Sequence, residues 1–432
     1  MGRSQTNGGR GPRASTPAAA GEATRRHPRD MVRVLGVRNF AFFWTGQLVS
    51  GTGTWMQTVA MAWLVLQISH SPGILGTVTM LQFLPMMLFT LPAGVVADRV
   101  PKRRLLIAAQ SLAALQALVL GVLTLLGTPQ IWELAVLAFV LGLSNAFNNP
   151  AQQAFLPELV GHDLLPDAVV LNSLQFNGTR MIGFALGGLA LAQFSAAAVF
   201  FANAASFAAS LAALLLMRRA DLNRPVGQRP GQHALGEGLA YAYRTPAVVF
   251  VLASLAVVGT FGFHWPVAAP LMAQDLLHVG AIGFGALMGA FGAGSLIAGA
   301  GLMATGPGGR RRMVAAAGIL AVVLIALGIS RSYPASLALM TVAGIAGTVY
   351  TTTANSSLQA VVPDRLRGRV MSLFVLLMAG TTPVGATLLG WGADAFGISA
   401  TTIAFGAVTA AGLAVLVLHH RAASRGTQPP AP

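Results

Sequence analysis

The chain has no cysteine and a single lysine, Lys102, and only 9% of its 432 residues carry charge. Without thiols it has neither disulfides nor thiolate metal sites, and its redox compartment leaves no trace. So little charge excludes an ordinary water-facing surface, which takes about 25% charged residues. With 55% hydrophobic residues and a mean hydropathy of +0.68, the sequence reads as one solvated by lipid. It has no Gly-x-x-x-x-Gly-Lys-Ser/Thr loop, which excludes direct energisation by nucleotide. Its apolar runs hold no cluster of acids, histidines or nucleophiles, so the expectation is a protein that is not an enzyme and needs no cofactor or metal.

What charge there is sorts by position. The net charge is +15, which on a folded aqueous surface would point to nucleic acid. Here the cations cluster instead before the first apolar run, in the turn Gly94 to Arg104, and at Arg218, Arg219, Arg224, Arg229 and Arg244. They recur at Arg310 to Arg312, at Arg365, Arg367 and Arg369, and at Arg421 and Arg425. If the apolar runs cross a bilayer in alternation, all of these fall on one face, leaving Arg331 on the other and Arg180 inside a span. The positive-inside rule makes that face cytoplasmic, held also by anionic lipid, and a nucleic-acid partner is excluded. The excess of arginine over lysine reads as GC-rich coding rather than function.

A span needs about 20 apolar residues at about 1.5 Å each. Twelve such runs are expected, at about 40–66, 73–97, 104–127, 131–149, 169–194, 197–217, 246–269, 280–304, 313–330, 334–354, 370–394 and 398–418. Both termini are then cytoplasmic. Residues 1–38 lack any apolar period and read as a disordered basic tail. Arg25-Arg26 is set aside as a twin-arginine signal, because the next run has full span length and eleven follow. Met31 is a candidate true start. The remaining expected units are a first bundle at 39–217, a central loop at 218–244 with a short amphipathic helix near 233–243, a second bundle at 245–418 and a tail at 419–432.

The two bundles repeat one another. Arg38-Asn39-Phe40 and Arg244-Thr245-Pro246 lie 206 residues apart, Gly94 with Arg103-Arg104 recurs as Gly301 with Arg310-Arg311 at 207, and Pro157 recurs as Pro363 at 206. Three landmarks at one offset mark a duplicated six-helix unit.

On these residues the chain resembles the Major Facilitator Superfamily, an all-α polytopic fold of two six-helix bundles related by a pseudo-two-fold axis. The resemblance spans about residues 38–418 and centres on Gly94-x-x-x-Asp98-Arg99-x-Pro101-Lys102-Arg103-Arg104. It implies a conformational latch in which Asp98 contacts the start of the eleventh span and stabilises the outward-facing state, with Gly94 allowing close approach and Arg99, Lys102, Arg103 and Arg104 completing the motif. A carboxylate at a helix N-terminus gains about 0.3–1 kcal/mol; the bland reading is a positive-inside anchor only. The second-half copy has Thr305 in place of Asp98, so the latch is one-sided. Leu156-Pro157-Glu158-Leu159-Val160, together with Leu358 to Pro363 leading into Arg367-Gly368-Arg369-Val370-Met371-Ser372, resembles the branch of siderophore and macrolide exporters. Gly183-Phe184-Ala185-Leu186-Gly187-Gly188 is similar to an antiporter Gly-Pro-x-x-Gly-Gly signature, with Phe184 replacing its proline. Gly183, Gly187 and Gly188 read either as a hinge or as close packing. No arginine stands in the fourth span, where many proton-coupled relatives carry one.

Cargo sites in such proteins lie near the midplane between bundles. Gln47, Ser50, Thr54 and Gln57 share one face of the first span and read either as a cavity wall or as interhelical hydrogen bonds. Asn145 and Asn149 in the fourth span, Gln175 in the fifth, and Tyr350, Thr351 and Asn355 in the tenth are further cavity candidates. Arg180, with no acid at its depth, reads either as a partner for an anionic group or as a hydrogen-bond hub. His264 is a cavity group or an interface histidine, and Trp265 a cavity wall or an interfacial anchor. Pro383 should kink the eleventh span and serve as a flexing point. The resulting expectation is a monomeric secondary transporter of the cytoplasmic membrane, working by alternating access and exporting a small amphipathic molecule against a proton gradient. Import of a metabolite is the alternative, and a non-transporting receptor the remote one. Because the chain lacks cysteine, Arg99→Cys and Arg229→Cys can be labelled singly; an impermeant maleimide should reach both from the same face of oriented vesicles, and reaction from opposite faces would overturn the topology.

Overall fold

In a computed structural model the structure describes residues 33–223, 234–306 and 308–425, and among these it is helical throughout, with no strand. Met31, the Arg25-Arg26 pair, most of the two tails and the middle of the central loop lie outside the described residues. The spans are α1 (Arg38–Ser69), α2 (Pro72–Arg99), α3 (Lys102–Leu126), α4 (131–160), α5 (162–193) and α6 (Ala196–Leu216). A helix Ala234–Arg244 in the connector precedes α7 (Pro246–Leu276), α8 (Gly280–Thr305), α9 (Arg310–Ile329), α10 (Tyr333–Val361), α11 (364–396) and α12 (398–425).

Local signals explain where the helices begin and break. Ser71 caps α2, its Oγ accepting from Ile74 N at 3.2 Å ahead of Pro72, and Ser195 caps α6 in the same way. Gln130 and Glu133 form a capping box at the start of α4. Gly161 (φ 72°) separates α4 from α5 and Gly397 (φ 80°) separates α11 from α12, each a left-handed residue where a side chain would be strained. Within α7 the helix Pro246–Gly262 stops and resumes at Trp265–Leu271. Pro266 accounts for that break, since its ring clashes with the preceding turn and it offers no N–H.

Three boundaries differ from the sequence expectation. The expected spans end at 149 and resume at 169, yet the helices run through the interval, prolines 150, 157 and 166 included, and only Gly161 leaves helical geometry. α7 and α10 also run past their apolar stretches, to Leu276 and Val361. α11 passes through Pro383 with helical dihedral angles, where Thr382 Oγ donates to Met378 O at 3.2 Å.

Nine helical segments among the described residues are long and apolar enough to cross a membrane, and one of them, Leu366–His420, holds both α11 and α12. α1 and α5 fall below that apolarity. Both carry polar stripes on the faces that meet other helices, while α5 also leaves Leu174, Ile182, Leu186 and Leu189 exposed on its outer face. Packing repeats between halves: α1 lies on α5 and α6, α2 on α4 and α3 on α6, while α7 lies on α11 and α12, α8 on α10 and α9 on α12. Only α2 with α11 and α5 with α8 pair closely along their length across the two halves.

These pairings are tight toward the face opposite the arginine-rich turns. A Cβ on Gly188 would lie 2.6 Å from Gly285 Cα, and one on Gly76 would lie 3.0 Å from Gly390 Cα. At such positions only glycine lets backbones meet. Toward the basic face the pairs separate. A Cβ on Gly94, Gly178, Gly299, Gly301 or Gly368 would meet nothing within 4 Å, and a cleft of about 250 Å³ opens between Met86 and Thr90 of α2 and Met371 and Val375 of α11. The halves therefore enclose a vestibule open to the basic face.

Candidate functional site

Three contacts stand out among those that close the vestibule on the far side. Gly188 on Gly285 is the first and Gly76 on Gly390 the second. The third is polar: Asp394 Oδ2, near the end of α11, accepts from Ser71 Oγ at 2.8 Å and from Gly73 N at 2.8 Å. A carboxylate of the second half thus sits on the free N–H groups that open α2, where the helix dipole favours it. This clasp escaped the sequence reading. The signals for it were the Ser-Pro-Gly start of α2 and the scarcity of acids on that face.

Arg180 lies on α5 about 27 Å from one end of the helix and about 20 Å from the other at 1.5 Å per residue. Its terminal nitrogen donates to Asn177 Oδ1 at 3.0 Å and to Ser295 Oγ of α8 at 2.9 Å. The guanidinium stands over the rings of Phe176, at 5.8 Å, and Phe291, at 5.3 Å. Ser295 is itself buried and also donates to Phe291 O at 3.1 Å. Arg180 therefore spans the seam between the halves just below the Gly188–Gly285 contact. Ser295 and Phe291 were missed as its neighbours because they belong to the other half, Ser295 being 115 residues distant, whereas Phe176 and Asn177, four and three positions before Arg180 on the same helix face, were there to be found from helical spacing.

The other candidates fall into two groups. Gln47, Ser50 and Gln57 point into the seam of α1 with α3 and α6. Gln47 Oε1 accepts from Gln110 at 2.9 Å, Ser210 at 3.2 Å and Ser50 at 3.2 Å, while Gln175 Nε2 donates to the Gln47 carbonyl at 2.9 Å. Gln57 Nε2 donates to Gln116 Oε1 at 3.0 Å, and Gln57 Oε1 accepts from Asn203 at 2.7 Å. Of the two readings of this stripe, the geometry is that of interhelical bonds. Thr54 is half-buried and donates within its own helix to Ser50 O at 2.8 Å. Tyr350 is buried against Ser254 at 3.0 Å, and His264 is buried at the α7 break, its Nε2 2.5 Å from Thr260 O and its ring beside Phe405. Gly183 and Gly187 pack on Trp55 and Met56 of α1, and only Gly188 of that trio touches the other half.

Facing open space instead are Asn145 and Asn149 on α4, neither with a side-chain hydrogen bond among the described residues, and Thr351 and Asn355 on α10. The latter pair lines a polar cleft of about 340 Å³ with Ser356 and Gln359. Asn149 and Asn355 stand at the same 206-residue offset as the repeat landmarks, so the two-fold brings matching amides to opposite walls. Trp265 is buried beside Phe291, ring centres 5.5 Å apart, with its indole N–H lacking an acceptor.

In the basic turn, Lys102 pairs with Glu158 at 3.5 Å. Arg103 donates to Leu214 O at 2.7 Å and Leu215 O at 3.0 Å, closing the end of α6. Asp98, Arg99 and Arg104 are exposed, and Asp98 makes no hydrogen bond or ion pair among the described residues. The turn is anchored at its α3 side, and its acid is free.

The pattern of the transmembrane secretion effector family matches residues 34–428. The chain is 29% identical over 376 residues to the multidrug efflux pump Tap of Mycolicibacterium fortuitum, covering 83% of this chain and 90% of that one. It is 32% identical over 164 residues to the staphyloferrin A transporter of Staphylococcus aureus, covering 38% and 41%. Among solved structures, a bacterial homologue of the human lysosomal transporter Spinster, inward-facing and unoccupied, superposes with a TM-score of 0.72 at 14% identity, covering 94% of this chain and all of that one. Gln47→Leu, which strips three donors of their shared acceptor, should lower stability by about 1–2 kcal/mol, read as an earlier thermal unfolding of the purified protein with no change in which face is open.

Proposed function

The chain belongs to the transmembrane secretion effector family of the Major Facilitator Superfamily, and from that premise we propose that it exports a small amphipathic compound, a drug, siderophore or secondary metabolite, by alternating access driven by a proton gradient. In this reading it works as a monomer in the cytoplasmic membrane with both termini inside. Residues 39–217 and 245–418 move as two bodies joined by the connector 218–244. The observation that carries the reading is the asymmetry of the seam: the halves join on the face away from the arginines and part on the arginine face. With the arginine face cytoplasmic, the vestibule is in its loading state. The efflux pump among the relatives supports the outward direction.

Two carboxylates then act as opposed latches. Asp394 on the α2 N-terminus holds the present state, and Asp98 meeting the start of α11, with Gly94 against Gly368, holds the other. Gly188 and Pro383 lie on the helices that must rock. The amides Asn145, Asn149 and Asn355 and the hydroxyl of Thr351 line the path along which cargo passes.

Counterflow of candidate antibiotics and siderophores in proteoliposomes tests the function. At least one should be moved only when a pH gradient is imposed, and flux indifferent to the gradient would remove proton drive. The latches are tested by distances between spin labels on α2 and α11. Asp394→Ala should shift population toward the state open on the far face by roughly two- to fivefold, the worth of about 0.3–1 kcal/mol. Asp98→Asn should shift it the other way, and identical distance distributions in either variant would dismiss that latch.

A further inference from the structure

We propose that Arg180 and Trp265 form a pocket for the acidic head of the cargo: a carboxylate or similar oxyanion carried on an apolar, aromatic-sized body. This rests on the export reading above and names the substrate class it serves. A guanidinium has five N–H donors. The structure fills two contacts of Arg180, both from one terminal nitrogen to neutral oxygens, and leaves its Nε buried with no acceptor. No carboxylate lies within 4 Å of it among the described residues. At mid-span a cation is costly to bury, and the faces of Phe176 and Phe291 ease that cost without accepting a conventional hydrogen bond.

Buried donors generally find an acceptor in protein or ordered water. Here a second orphan donor, the Trp265 indole N–H, borders the same Phe291 ring. Two acceptor-hungry groups around an aromatic floor describe a site for an acceptor-rich anion. The depth of Arg180, about 20 Å or more from either helix end, keeps lipid headgroups out of reach. Ser295 belongs to the opposite half, so its bond to Arg180 is one that the transport cycle has to exchange. An incoming carboxylate forms a charge-assisted, bidentate pair with the guanidinium, stronger than the hydroxyl it displaces. Occupancy is thereby linked to release of the seam, as differential binding requires.

The test uses the full chain purified in a non-ionic detergent, titrated calorimetrically with 2-naphthoate and with its neutral match, 2-naphthamide. Wild type should bind the acid at least about tenfold more tightly than the amide, in keeping with the greater strength of charge-assisted bonds. Arg180→Gln should bring the two within about twofold of one another while leaving the amide unchanged. Equal affinities in wild type, or a preference that survives Arg180→Gln, would overturn the pocket. Should Arg180→Gln not fold, Ser295→Ala decides: with the competing hydroxyl gone, the acid should bind about two- to fivefold more tightly and the amide as before, whereas unchanged or weaker acid binding counts against the proposal. Because binding is read without membrane or gradient, its failure indicts this pocket alone, and absence of flux in proteoliposomes indicts the export reading alone.

Discussion

Close contact between backbones across the two halves is the constraint on which the arrangement depends. Between lipid-solvated helices there is little hydrophobic force to gain, so association rests on van der Waals contact and polar bonds that hydrocarbon leaves without competition. Gly188 against Gly285 and Gly76 against Gly390 provide the first, and Asp394 on Ser71 and Gly73 provides the second. All three lie on one side. The vestibule on the other side follows directly, because two bundles fastened at one end of their shared seam diverge toward the other.

Each half is held together differently from the seam between them. The amides of Gln47, Gln57, Gln110, Gln116, Gln175 and Asn203 bond side chain to side chain, or to the backbone, inside the first bundle. Such bonds stay within one bundle, so the proposed rocking of the halves leaves them intact. The seam, by contrast, contains a single buried cation whose partner hydroxyl comes from the other body. Polar groups are thus divided between those that keep a bundle rigid and those that register its position relative to its twin.

Much of this was legible in the sequence, and the physics explains both reach and limit. Hydrocarbon thickness sets the length of each apolar run, the segregation of arginine groups the basic turns on one face, and the recurrence of Gly94, Arg103 and Pro157 in the second half exposes the duplication. Arg180 stands out because a cation at that depth needs a reason. The polar face of α1 was equally visible, yet periodicity tells which residues share a face and is silent on what that face touches. Its covering by α3 and α6 depends on helices distant in the chain. The helices also run past the apolar limits at 149 and 169 and through the prolines at 150, 157 and 166, because in a bundle neighbouring groups compensate a lost hydrogen bond and hydropathy marks only the lipid-facing length. Asp394 and Ser71 are 323 residues apart, and nothing local in either hints at the other.

Side-chain volume has opposite effects on the two faces. Gly76, Gly188, Gly285 and Gly390 have no room to spare, whereas Gly94 and Gly368 look into open space. A single added methyl in the first set acts as a wedge between the halves, and in the second it enters open space. Under the alternating-access proposal the balance between the two states is then set sterically as well as electrically, and drift in size at a few backbone positions can retune it without altering a charge.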